Sequence, residues 1–323
     1  MTVAPVKAGW RVLVGVLALG PQPAVAELAE SAESRPVPTP AARSTVVWTG
    51  PADARPEGLG CLDVDHDGDD DVVVVGARGL WVVAPRADAG SATHLSWPPE
   101  APAAPAVRDP HASVLGVPEM MGGGLMVAPS SRAGFGQLKP AVASRGAPAW
   151  TSWVIGGPSP VATDGEQVLT GQRAPGTHHL VGLRLGETTL RNLPSPVRAA
   201  VLLRGEERQR YLAVAGPDGI TVVQVQGART GRLILAPNLA PPLLAADTDG
   251  DGVDELWSAR DTADGHDALL VSRVGKDGLT TDRRLDDLGG RLQALSTCPG
   301  SRRDSLMVLV RGKTQWSVLD VRP

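Results

Sequence analysis

The sequence predicts an all-β protein, a β-propeller of six blades with four antiparallel strands each, closed into a ring by the N-terminal strand. Three observations predict it. Short apolar runs alternate with turn residues, in a chain with 38 Gly and 29 Pro among 323 residues, and such punctuation marks many short elements. The runs recur at a steady interval, the signature of a repeated supersecondary unit. The last unit ends one strand short, while one spare strand precedes the first unit.

The repeat is clearest in two places. "LDVDHDGDDDVVVVGARGLWVV", beginning at Leu62, has a counterpart 184 residues on in "LLAADTDGDGVDELWSARD" (243–261). Asp247, Asp249, Asp251 and Gly252 reproduce the spacing of Asp63, Asp65, Asp67 and Gly68, and the acidic pair Asp254–Glu255 matches Asp70–Asp71. Weaker copies lie between and beyond them: "GGGLMVAPS" (122–130), "VATDGEQVLTGQ" (161–172), "YLAVAGPDGITVVQV" (211–225) and "SLMVLVRG" (305–312). The six units are separated by steps of 42 to 53 residues. Each reads as an apolar strand, an acidic or polar turn, a second strand, a glycine turn and a third strand. A fourth segment follows, such as "THLSW" (93–97), "TTLRNL" (188–193) or "GRLILAP" (231–237). Four short strands per unit of this length form a propeller blade. A β-sandwich would also have short strands, but it does not predict internal similarity. A seventh blade would require a different division of the units.

Ring closure follows from the two ends. After "TQWSVLDV" the chain stops at Pro323, and "STVVWTG" (44–50) has no unit of its own. Trp48 stands one repeat before Trp97, which stands one repeat before Trp150, so Trp48 falls where an outer strand ends. The N-terminal strand is therefore expected to complete the sixth blade and cover an edge that would otherwise be exposed. The ring makes the first and sixth units neighbours. Cys61 lies on the first strand of one and Cys298 ends the first strand of the other. They either form a disulfide across the closure or remain two buried thiols, as strand geometry dictates.

Residues 1–26 read as a signal peptide, with Lys7 and Arg11 before the apolar stretch 12–20 and "AVA" at 24–26 as a small-residue cleavage site. Nine apolar residues are too few to span a bilayer, which needs about 20. Residues 27–43 form a Pro-rich leader and 44–323 a single propeller domain, with no membrane span once the signal is removed. The mature chain is expected to be exported, either to a periplasm or to the exterior. A net charge of −4 with both signs mixed along the chain gives no basic footprint for nucleic acid.

The acidic turns carry the strongest chemical signal. Six aspartates in nine positions repel one another unless a cation gathers them. In D-x-D-x-D-G-x-x-D, alternate carboxylates converge and the glycine permits the bend. A set of hard oxygen donors without Cys or His suits calcium better than magnesium, which retains several waters. The expected ligands in the first loop are Asp63, Asp65, Asp67 and Asp71, with the Asp69 carbonyl. In the second they are Asp247, Asp249, Asp251 and Glu255, with the Val253 carbonyl, so that two Ca2+ sites are expected. An EF-hand is excluded because the twelfth positions are Val74 and Ser258, where that loop needs a bidentate Glu. "DVDHDGDDDVVVVGARG" and "DTDGDGVDELWSA" resemble repeats of the FG-GAP/VCBS type, related to the integrin α-subunit propeller. The resemblance implies calcium held between two strands of a blade. Glu255 departs from the family's Asp at the ninth position, and "VATDGEQV" keeps only Asp164 and Glu166.

No nucleophile elbow, metalloprotease helix or phosphate loop is present in the sequence. His178 and His179, the segment "DTADGHD" (261–267) and His66 read as turns and surface. The expected role is a non-catalytic binding or adhesion scaffold for a protein or carbohydrate partner. A secreted polysaccharide-active enzyme, which needs two carboxylates across one cleft, and a lectin are the alternatives. Trp48, Trp81, Trp97 and Trp257 lie in strand-like segments and read as packing residues, whereas Trp150 and Trp153 suggest a stacking platform.

Overall fold

A computed structural model describes residues 43–322, apart from 85–91, 106–110, 118–122, 142–147, 165, 174–176, 178, 227–228, 261–266, 276–277 and 299–304. The signal segment, His178 and most of "DTADGHD" lie outside the described residues. Six antiparallel four-stranded sheets are arranged as blades. Blade 1 comprises β2 (Pro56–Leu62), β3 (Asp71–Gly76), β4 (Gly79–Val83) and β5 (Thr93–Ser96). Blade 2 holds β6 (Ala112–Gly116), β7 (Leu125–Pro129), β8 (Phe135–Lys139) and β9 (Ala149–Val154). Blade 3 holds β10 (Ser159–Thr163), β11 (Val168–Arg173), β12 (Leu180–Leu185) and the two-residue β13 (Thr188–Thr189). Blade 4 runs through β14 (Ala199–Arg204), β15 (Arg210–Gly216), β16 (Gly219–Gln226) and β17 (Arg229–Ala236), and blade 5 through β18 (Ala240–Ala246), β19 (Glu255–Arg260), β20 (Ala268–Gly275) and β21 (Gly278–Leu285). Blade 6 is β22 (Arg291–Cys298), β23 (Ser305–Arg311) and β24 (Trp316–Arg322), completed by β1 (Arg43–Gly50).

The innermost strands contact one another in the cyclic order β2, β6, β10, β14, β18, β22 and back to β2, which closes the ring. An axial cavity of about 180 Å3 is lined by one or more residues from each of them, including Leu59, Val114, Val161, Leu202, Leu244 and Leu295. The second strand of each blade is sandwiched between neighbouring blades. This explains runs without alternation: Val72–Val75 on β3 and Leu212–Ala215 on β15 are all fully buried, as expected where both sheet faces are covered. The outermost strands β5 and β9 are largely exposed.

Side-chain size follows from this stacking. Val, Leu and Ala of adjacent blades interdigitate in shared clusters, so that Leu59, Val72 and Val74 of blade 1 pack with Ala294, Leu309 and Val318 of blade 6. The tight turns need glycine where an outer strand passes close behind. A Cβ on Gly79 would lie 2.2 Å from the Leu95 carbonyl oxygen, and one on Gly219 would lie 2.4 Å from that of Ala236. The same Gly-x-x-Gly hairpin thus recurs in blades 1 and 4, as the repeat predicts.

Closure occurs where it was expected. β1 pairs antiparallel with β24, from Arg43 opposite Arg322 to Gly50 opposite Trp316, and Trp48 is buried at 2% exposure. A disulfide joins Cys61 to Cys298 with a Cα–Cα distance of 5.2 Å. Buried polar groups tie other junctions. The Glu57 carboxylate of blade 1 accepts from Ser130 Oγ and the Ser131 amide of blade 2, and burial pushes this carboxyl up against the opposing pull of those bonds. Asp267 of blade 5 accepts from the Leu292 amide of blade 6 at 2.8 Å.

Trp150 and Trp153 do not stand apart as a pair but cluster with Trp97. Trp150 and Trp153 pack on Trp97 with ring centroids 5.3 and 5.7 Å away, and Trp153 Nε1 donates to the Ala133 carbonyl. Three positions apart, they should point to opposite faces of a regular strand. A bulge between them sets Trp150 opposite Leu138 and Trp153 opposite Gly136, so both turn to one face and pack, half-buried, against the core of blades 1 and 2.

Candidate metal centres

Both acidic loops connect the first and second strands of their blades, β2 to β3 and β18 to β19. They share a hydrogen-bond scheme. The amide of Gly68 donates to Asp63 Oδ2 at 3.1 Å, and that of Gly252 to Asp247 Oδ2 at 2.9 Å. The amide of Val64 donates to Asp71 Oδ2 at 3.1 Å, and that of Thr248 to Glu255 Oε2 at 2.8 Å. Asx turns follow: Asp67 amide to Asp65 Oδ1, Asp69 amide to Asp67 Oδ1, Asp251 amide to Asp249 Oδ1 and Val253 amide to Asp251 Oδ1. Gly68 and Gly252 sit at φ 88° and 86°, a left-handed conformation for which glycine has no steric penalty. Thus the shared D-x-D-x-D-G string encodes one backbone shape twice.

In the first loop Asp63, Asp65 and Asp67 bring carboxylate oxygens within 4.8 Å of one another, a grouping that could hold a metal ion. Asp71 stands at the buried end, 4% exposed, with Oδ2 engaged by Val64. In the second loop the grouping is Asp247, Asp249 and Glu255; Asp251 lies outside it and pairs with Arg273. Of the two expected carbonyl ligands, Asp69 and Val253 stand in the last turn of their loops, where their amides are held by the Asx bonds above. The donors are all oxygen in both groupings, which fits a hard divalent cation.

Burial pushes the Asp71 carboxyl up to about 6, and the charges of Asp65, Asp67 and Asp63 push the same way, against the Val64 bond. The folded chain therefore keeps this proton between about pH 4 and 6, while the unfolded chain releases it near the ordinary Asp value of about 3.9. The stability of the metal-free protein should fall as pH rises through that window. The expected loss is about 1–2 kcal/mol after discounting for the water that reaches the loop. Thermal unfolding in chelator at pH 5 and pH 7.5 reads the upper half of that window, and the drop in wild type, about half of the full loss, should be flattened in Asp71→Asn.

Three arginines that the sequence reading passed over sit on these turns. Arg204 of blade 4 donates from Nη2 to Asp254 Oδ1 at 2.8 Å, and its amide donates to Asp254 Oδ2 at 2.7 Å. Asp254, expected to belong to the acidic pair of the loop, instead ties blade 5 to blade 4. Its bond holds Arg204 above the ordinary guanidinium range, although burial works the other way. Arg210 Nε lies 2.8 Å from Asp164 Oδ2 and its Nη2 pairs with Glu166, so the shortened turn of blade 3 is neutralised from blade 4. Arg273 of β20 reaches into the second acidic loop. Nη1 lies 2.8 Å from Asp251 Oδ2, Nη2 lies 3.0 Å from Glu255 Oε1 and also pairs with Asp249, and Nε lies 3.2 Å from Asp282 Oδ2. The starts of the blade 3 and blade 5 turns border one cavity of about 390 Å3, lined by Asp164, Arg204, Asp247, Thr248, Asp254 and Thr297 among others.

No family model matches this chain, and no curated protein matches it. Among solved structures, a glucose dehydrogenase is similar over 87% of this chain and 99% of its own, at 15% identity and a TM-score of 0.51. A chain described as belonging to the mitotic checkpoint complex is similar over 89% of this chain and 98% of its own, at 14% identity and a TM-score of 0.47. At 15% identity, what this chain shares with the glucose dehydrogenase is the fold.

Proposed function

We propose that this chain is an exported, calcium-stabilised propeller of the FG-GAP/VCBS type that serves as a non-catalytic scaffold for a protein or glycan partner. The observation that carries the calcium reading is the duplicated loop, in which one hydrogen-bond scheme twice gathers carboxylates at the start of a buried strand. Such a concentration of like charge calls for a cation. The Cys61–Cys298 bridge supports export, because disulfides persist in oxidising compartments. A ring closed by both a strand and a disulfide is a rigid frame, and loops on rigid frames are common binding surfaces.

Thermal unfolding of residues 27–323 in excess calcium and in chelator tests the reading. Extracellular calcium modules bind with constants on the order of 0.1–1 mM. One site at a hundredfold excess adds about 2.7 kcal/mol, a rise of roughly 5–10 °C for a chain of this size. The rise should vanish in Asp65→Ala combined with Asp249→Ala. Equal melting in calcium and chelator would remove calcium from the function. For the partner, the calcium-loaded protein is titrated with candidate glycans while reducing ends are assayed; binding without their release supports the scaffold, and release supports a polysaccharide-active enzyme.

A further inference from the structure

We infer that Arg273 is the resident cation of the second acidic loop, so that the two loops, alike in backbone, differ in what neutralises them. The inference rests on the calcium reading for the first loop and restricts it for the second. Arg273 sets its guanidinium among four carboxylates, those of Asp249, Asp251, Glu255 and Asp282. Two of these, Asp249 and Glu255, belong to the three-residue grouping that a metal would use. A metal and Nη2 therefore compete for the same oxygens. Glu255 makes the competition severe, because its side chain is only 3% exposed and a buried carboxylate without a counter-charge is strongly destabilising.

Among the described residues, no arginine, lysine or histidine forms an ion pair with Asp63, Asp65 or Asp67. The pairing of the strands supplies the reason. One step beyond Leu256 opposite Ser272, Arg273 falls opposite Glu255; one step beyond Val72 opposite Val83, Ala84 falls opposite Asp71. An alanine cannot supply charge, so among the described residues the first loop has no counterpart of Arg273 at this position. The third blade follows the pattern of the fifth, with Arg210 bound to Asp164 and Glu166.

Calorimetric titration of calcium into the chelator-treated protein, with equilibrium dialysis for stoichiometry, tests the inference. Wild type should take up one ion per chain, with any second ion at least tenfold weaker. Asp65→Ala should abolish the first ion, and Arg273→Ala should raise the count to two. Two ions within tenfold of each other in wild type, or one ion retained at wild-type affinity in Asp65→Ala, would overturn it. The Asp65→Ala arm decides the matter even where Arg273→Ala does not fold. If wild type takes up no calcium, the calcium reading of the first loop has failed, and the role of Arg273 is decided separately by unfolding in chelator. There Arg273→Ala should melt lower than wild type and Arg273→Ala with Glu255→Gln should recover most of the loss. Additive losses in that double variant would overturn the inference without reference to any metal.

Discussion

Replacing Cys61 and Cys298 together by serine is expected to lower the free energy of unfolding by about 2–5 kcal/mol. The bridge spans a sequence separation of 237 residues, nearly the whole ring, and the stabilisation expected from restricting an unfolded chain grows with the length of the closed loop. Its position matters as much as its length. It joins the innermost strands of the first and last blades, while the β1–β24 ladder joins the same seam at the periphery. Without the bridge, opening at this seam is opposed by that ladder and by the apolar contacts of blades 6 and 1. Denaturant titration of the oxidised protein, of the protein with reductant and of the double serine variant checks this. The last two should coincide at a lower midpoint, and a variant as stable as wild type would mean that the seam is held by packing alone. Because Cys61 stands two residues before Asp63, the same variants should also bind calcium more weakly.

Substituting Trp257 by alanine is expected to cost about 3–5 kcal/mol, the range for emptying a large buried aromatic site. Trp257 is fully buried on β19 and packs with Leu295, Leu306 and Val308 of blade 6, so its removal opens a void at the junction of blades 5 and 6. Its indole Nε1 has no hydrogen-bond partner among the described residues. Trp257→Phe should therefore cost far less than Trp257→Ala, since it keeps most of the ring volume and removes a buried donor left unsatisfied. Thermal unfolding of the two variants in the same buffer separates these effects. Similar losses in both would mean that the indole nitrogen is bonded in solution, for instance to a buried water.

Much of this was legible because a propeller writes its geometry as a period. Blade count, strand order, the Gly76–Gly79 and Gly216–Gly219 turns and closure by the N-terminal strand all depend on local strings repeated at intervals. The shape of the two acidic loops was legible for the same reason: alternate aspartates and a glycine at positive φ define the turn through bonds within eight residues. The third strands obscured the rest. Blade 1 turns from β3 to β4 through two residues, whereas blade 5 inserts a longer connection between β19 and β20. Aligning the copies by a constant offset therefore never sets Arg273 against Ala84. The bulge that turns Trp150 and Trp153 to one face is equally invisible to alternation, because it shifts the register by one residue.

By itself, the sequence determined the ring of six blades, the strand that closes it and the two acidic turns, because each is set by spacing along the chain. Only the tertiary structure decided which charges meet. It drew Asp254 away from its loop to Arg204, gave Asp164 and Glu166 to Arg210 and placed Arg273 over Asp249 and Glu255. It also brought Cys61 within reach of Cys298. These contacts join residues 18 to 237 positions apart, and an electrostatic or covalent bond depends on distance in space, which the pairing of strands and the packing of blades set together.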